Sequence, residues 1–132
     1  MVFPASVDIA ALVARIALGL LFLTHGWPKI KDLRKPMEFV KGTGWPGGAA
    51  FAVLFTLLEF FGAIALLIGL LTQVMAVLFF LEMIATTIFA KTKLKKKFGL
   101  GFELDLAYAA FALVLAVLGP GAWSLDRFLG LA

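Results

Sequence analysis

Residues 47–90 read GGAAFAVLFTLLEFFGAIALLIGLLTQVMAVLFFLEMIATTIFA, and only Glu59 and Glu82 among them carry charge. Gly69 and the polar Thr72 and Gln73 divide this run into two apolar pieces. Each piece is about twenty residues long, the length of helix that crosses a bilayer. The apolar residues are continuous rather than alternating, which favours helices over the strands of a β-barrel. A spanning segment must also satisfy its own backbone amides, and a helix does so alone. The expected spans are Gly47–Leu70 and Val74–Ala90, joined by a tight turn at Leu71–Gln73.

The same reading extends outward. Ala5–Gly26 is a span interrupted by Arg15, with Pro4 and Ser6 suited to its start and Asp8 in its first turn. Met1–Ser6 carries no basic residue and no cleavage pattern follows, so the expectation is a retained helix rather than a signal peptide. Phe102–Leu118 is the fourth span, opened by Glu103 and Asp105 and stopped by Gly119-Pro120-Gly121. Trp27–Pro46 is a polar connection, with Trp27 and Trp45 placed as interface anchors. Within it, Lys31–Lys41 predicts a short amphipathic helix laying Leu33, Met37, Phe39 and Val40 toward lipid, against the grain of Pro36. WSLDRFLGLA closes the chain as an interfacial turn. The fold class expected is an all-α integral membrane four-helix bundle, one domain over residues 1–132.

Composition agrees. Of 132 residues, 63% are apolar and 15% charged, and the mean hydropathy is +1.06. Ordinary globular chains carry about a quarter charged residues. Cysteine is absent and histidine occurs once, which excludes disulfides, thiolate metal sites, iron–sulfur ligation and bis-histidine haem within one chain. No metal site is expected. Ten of the 12 basic residues lie in two connections. Lys29, Lys31, Arg34, Lys35 and Lys41 sit in the first, and Lys91, Lys93, Lys95, Lys96 and Lys97 in the third. The positive-inside rule puts both loops in the cytoplasm and both termini outside. The lysine run then meets anionic lipid headgroups rather than nucleic acid.

Three charges fall inside spans: Arg15, Glu59 and Glu82. Each would cost roughly 2.5–3.5 kcal/mol at a lipid-facing helix centre. They are therefore expected to face the bundle interior and pair. One arginine against two glutamates leaves a surplus negative charge, so one carboxyl is expected to hold a proton at neutral pH. His25 and Lys29, four residues apart, continue the stripe Arg15–Leu18–Phe22 and suit hydrogen bonding to a headgroup or ligand. Glu103 is expected to face that pair while Asp105 serves the helix start. Phe55, Phe60 and Phe61 flank Glu59 and form a candidate apolar slot. Gly19, Gly62 and Gly69 are expected to let helix backbones approach. The competing reading of the charges is architectural, a fixing of helix register.

These motifs resemble the DoxX family of small four-helix membrane proteins. Arg15, Leu18, Gly19, Leu20, Phe22, His25, Gly26 and Lys29 follow R-x-x-L-G-L-x-F-x-x-H-G-x-x-K. Glu59, Gly62, Leu66, Leu67, Gly69, Leu70 and Thr72 follow E-x-x-G-x-x-x-L-L-x-G-L-x-T. Gly119, Pro120, Gly121, Ser124 and Asp126 follow G-P-G-x-x-S-x-D. The resemblance implies the fold and a redox or quinol-oxidase setting, with distant relatives that act as membrane chaperones. It suggests a subunit or partner of a quinone-linked oxidoreductase that binds a quinone but holds no cofactor of its own. A redox partner subunit and a homo-oligomer are the associations it suggests. The alternatives are a non-enzymatic assembly factor, chaperone or scaffold, and, more weakly, a small-molecule or proton carrier.

Overall fold

The structure, a computed structural model, describes residues 6–132. The expected roles of Ala5 and Pro4, and the retained N-terminal residues before Ser6, lie outside that range. Among the described residues all regular structure is helical. Three helices are long and apolar enough to cross a membrane: α1 (Val7–Lys31), α3 (Gly48–Ile68) and α4 (Thr72–Thr92). Between the first two lies α2 (Arg34–Gly42), and α5 (Phe102–Leu118) and α6 (Leu125–Phe128) complete the chain.

Ser6 caps α1, its side chain accepting from the Ile9 amide at 3.2 Å, and Asp8 occupies the first turn. The helix does not stop at Gly26 as expected but runs through Pro28 to Lys31. Packing outweighs the one backbone bond that proline removes. A β-carbon at Gly26 would lie 2.8 Å from the Phe60 amide nitrogen and 2.9 Å from the Glu59 carbonyl carbon. Only glycine allows that approach of α1 to α3, the device by which membrane helices associate without a hydrophobic drive. Gly19 packs against Leu67 in the same seam, and Gly62 against the Phe79 ring.

Pro36 sits at the third position of α2, where a helix has no intrahelical acceptor for an amide hydrogen, so the proline is tolerated there. The lipid-facing expectation for this segment needs correction. Val40 is buried and α2 packs on α3, while Phe39 is exposed with its edge toward Phe89. One turn of α3, Leu58–Gly62, is π-helical. Such a turn inserts a residue and resets the faces of a helix. Here Glu59 and Gly62 point inward and Phe61 outward.

α3 ends in a Schellman arrangement. Gly69 adopts φ +73°, its amide donates to the Leu66 carbonyl, and the Leu70 amide donates to that of Ala65. The core lies between α1, α3, α4 and α5, around Leu18, Phe22, Leu66, Phe79, Met83 and Leu115. Phe22 and Phe79 stack with ring centroids 3.9 Å apart at its centre.

Candidate functional site

The three intramembrane charges separate into two clusters at opposite ends of the bundle. The expected pairing of Arg15 with Glu59 or Glu82 is not the arrangement found. Arg15 is 1% exposed and surrounded by backbone oxygens. Its Nε donates to the Pro120 carbonyl at 2.9 Å, and Nη1 to those of Leu66 and Leu67 at 3.3 Å each. Nη2 donates to the Trp123 carbonyl. The Leu66 and Leu67 oxygens belong to the last turn of α3, where carbonyls run short of amide donors and the helix end favours a cation.

The chain around Arg15 is closed by Asp126. Its carboxylate accepts from the Leu71 amide at 2.6 Å and the Thr72 amide at 2.8 Å, and so caps α4 from a distant part of the chain. Asp126 is also the carboxylate whose charge acts on Arg15. Asp8 accepts from the Ala122 amide at 2.9 Å. Residues 119–126 thus form a clasp over one end of the bundle. Motif spacing had marked Ser124 and Asp126, but only folding shows that Ser124 caps α6 through the Arg127 amide and that Asp126 caps α4 beside Arg15.

The second cluster lies toward the basic end. Lys29 Nζ donates to Glu59 Oε2 at 2.7 Å. Glu82 stands on α4 beside Glu59, and the charges of Glu59 and Lys29 both act on it. Glu82 is 2% exposed, and neither of its carboxyl oxygens has a hydrogen-bond partner. Lys29 and Glu59 open onto a cleft of about 230 Å³. Its walls are Val40 from α2, Phe51 and Phe55 from α3, and Phe89 from α4, and its polar lining includes Thr56, Thr86, Lys96 and Asp105. A smaller hollow of about 120 Å³ shares Lys29, Glu59, Thr86 and Asp105 with it and adds Phe22, His25, Met83 and Tyr108.

His25 lies edge-on to Tyr108, and its Nδ1 is 2.8 Å from the Leu21 carbonyl. A carbonyl only accepts, so Nδ1 is the protonated nitrogen in that contact and Nε2 is left free. The Thr56 hydroxyl is buried in the cleft wall without a partner. Thr86 donates to the Glu82 backbone carbonyl at 2.9 Å.

Two other expectations change. Glu103 and Asp105 exchange roles: Glu103 accepts from the Gly101 amide at 2.9 Å at the helix start, and Asp105 faces the cleft. A carboxylate at the first turn reaches the nearest free amide, whereas Asp105, one half-turn on, is carried inward. Phe55, Phe60 and Phe61 do not share one slot. Phe55 lines the cleft, Phe60 stacks on Trp27 at the outer surface, and Phe61 is 59% exposed. Phe51, Phe89 and Thr56 were missed. Their signal was i, i+4 spacing from Phe55 for Phe51, and i, i+3 spacing from Glu59 for Thr56, one α-helical face of α3.

A family model described as DoxX matches residues 10–92. The chain belongs to the DoxX family. Curated relatives extend the match well past the DoxX segment. Inner membrane protein YqjF of Escherichia coli (strain K12) is 35% identical over 123 residues, covering 92% of this chain and 93% of that protein. Inner membrane protein YphA of the same organism is 30% identical over 131 residues, 95% and 94% of the two chains. A Bacillus subtilis (strain 168) protein named "Putative oxidoreductase CatD" is 29% identical over 123 residues, 93% and 89%. Comparison with solved structures gives no match. With its apolar helices and inner-membrane relatives, this DoxX chain is a membrane protein.

Proposed function

We propose that this chain binds an amphipathic quinone in the cleft beneath α2 and serves as the membrane partner of an oxidoreductase. The observation that carries the reading is an ion pair, Lys29–Glu59, set at the polar floor of an aromatic-walled cleft. A quinone needs apolar walls for its ring and tail and donors for its carbonyl oxygens. Phe51, Phe55 and Phe89 supply the walls. Lys29 and the unpartnered Thr56 hydroxyl supply donors, and His25 Nε2 in the adjoining hollow is an acceptor for a quinol hydroxyl. Ligand sites commonly measure about 300–1,000 Å³, so this cleft with its adjoining hollow suits a single ring. A bound quinone would contribute electron and proton carriage, and electrons would reach it from the partner subunit. The name carried by CatD adds support.

The membrane placement belongs to the same reading. At 1.5 Å per residue, the 17 residues of α5 measure about 26 Å, close to a bilayer's apolar thickness. We infer four spans, with α2 and the lysine loop cytoplasmic and both termini outside, a placement the distribution of basic residues supports. An assembly or scaffold role is a second reading. It is favoured by Phe98 and Leu100, 72% and 82% exposed beside the lysine run.

Native mass spectrometry of the protein taken from its own membranes in mild detergent tests the proposal. The expected result is a bound mass equal to a quinone, lost in Lys29→Ala. No quinone mass, together with no binding of a decyl-tailed benzoquinone, overturns it. A retained protein partner without a small ligand would support the scaffold reading.

A further inference from the structure

Glu82 is the buried ionisable group that quinone binding does not use. It is enclosed by α4 and its neighbours, is 2% exposed, and has two oxygens without partners. The groups near it come from every packed helix. α1 brings Lys29 and α3 brings Glu59, both of which act on it, while the adjoining cleft and hollow carry His25, Asp105, Tyr108 and Lys96. The nearest cation, Lys29, is already hydrogen-bonded to Glu59.

Two carboxyls side by side in a desolvated setting do not both ionise when a single ammonium serves them; such pairs hold one proton between them. The assignment within the pair follows from the geometry. Glu59 has the ammonium and the opening to the cleft, so it carries the charge. Glu82 has neither. An unpartnered carboxylate there would bear the full cost of a buried charge, whereas the acid form has a neighbouring carboxylate to donate to.

We propose that Glu82 is a proton store, holding a proton at neutral pH and exchanging it with the cleft through Glu59. The path is short in chemical terms: the Glu82 acid donates to a Glu59 carboxyl oxygen, and Glu59 opens to the cleft that Asp105 and His25 also line. Glu82 is then a binding site for a proton, while Lys29 and Thr56 are binding groups for a carbonyl ligand. The proposal concerns the same cleft but does not depend on the occupant being a quinone.

Infrared spectroscopy of the full chain in detergent, with no quinone added, tests it. A protonated-carboxyl band is expected at neutral pH, absent in Glu82→Gln and retained in Glu59→Gln. Transfer to D2O should shift the wild-type band, and Glu59→Gln should slow that shift by roughly 100-fold, the scale of a lost acid–base relay. Isotope labelling of glutamate in the unsubstituted chain assigns the band to Glu rather than Asp even if Glu82→Gln does not fold. Glu82→Asp keeps a carboxyl at the site and is the second variant, in which the glutamate-labelled band should vanish. No glutamate acid band, a band unchanged in Glu82→Gln, or exchange unaffected by Glu59→Gln each overturns the proposal. Absence of any quinone binding by the unsubstituted chain in the earlier experiment, with the acid band intact, would sink the quinone reading alone.

Discussion

Arg15 and Glu82 are almost equally buried, 1% and 2% exposed, yet their surroundings are opposites. Arg15 donates to four backbone carbonyls and has Asp126 for a counter-charge. Its cluster is closed, and every contact ties a helix end to the segment at residues 119–126. Glu82 has no hydrogen-bond partner, and beside it a cleft opens with a further unpartnered hydroxyl at Thr56. A buried charge whose hydrogen bonds are complete serves the fold. One left incomplete next to a cavity is where a ligand or proton completes the set. Burial alone does not distinguish the two; the inventory of partners does.

The largest break in that contrast should come from Arg15→Ala. It would strand the Leu67, Pro120 and Trp123 carbonyls, take one of two donors from that of Leu66, and remove the positive charge near Asp126. A hydrogen bond from a charged group is worth about 1.5–3 kcal/mol, and several are lost at once, so the variant should unfold far earlier in a detergent thermal melt. Arg15→Lys should recover only part of the loss, since an ammonium lacks the planar fork that reaches several oxygens at once. An Arg15→Ala variant of wild-type stability would show that the clasp holds nothing. Next in size is Lys29→Ala. A hydrogen bond to a charged group is worth about 1.5–3 kcal/mol, so affinity for a decyl-tailed benzoquinone should fall roughly 10- to 150-fold. Thermal stability should fall less than in Arg15→Ala, because the Lys29 side chain is 39% exposed. A larger stability loss than binding loss would place Lys29 with the structural cluster instead.

The helices were legible because apolar runs of spanning length allow few alternatives. Arg15, Glu59 and Glu82 were legible one by one, since a charge inside such a run must turn inward. Their partners were not, because pairing depends on depth across helices. Gly26 touches α3 at Glu59 and Phe60. Arg15 lies eleven residues before Gly26, or about 16 Å along α1, which takes it to the far end of α3. Lys29, one turn beyond Gly26, is the cation that reaches Glu59. Taking Gly26 as the end of the span hid this, and only the close glycine contact reveals it. The π-helical turn at Leu58–Gly62 is likewise invisible to a regular 3.6-residue count, and both Glu59 and Gly62 lie in it.

The smallest expected effect is also the sharpest test of the contrast, and it comes from Thr56→Val. The two side chains are nearly equal in size, so packing is kept and a hydroxyl is removed. In the Arg15 cluster, deleting a polar group would leave partners stranded. At Thr56 the hydroxyl has no partner to strand, so its removal relieves a buried, unsatisfied group. Such a group costs about 1–3 kcal/mol, and part of that should return as a modest rise in melting temperature. Binding should move the other way, with decyl-benzoquinone affinity falling by about tenfold, the worth of one neutral hydrogen bond at roughly 1 kcal/mol or a little more. Opposite signs for stability and binding are the signature of a group kept for a ligand. A variant that loses stability, or that gains it with binding unchanged, would mean that Thr56 belongs to the fold and that the cleft is lined by Lys29 and its neighbours alone.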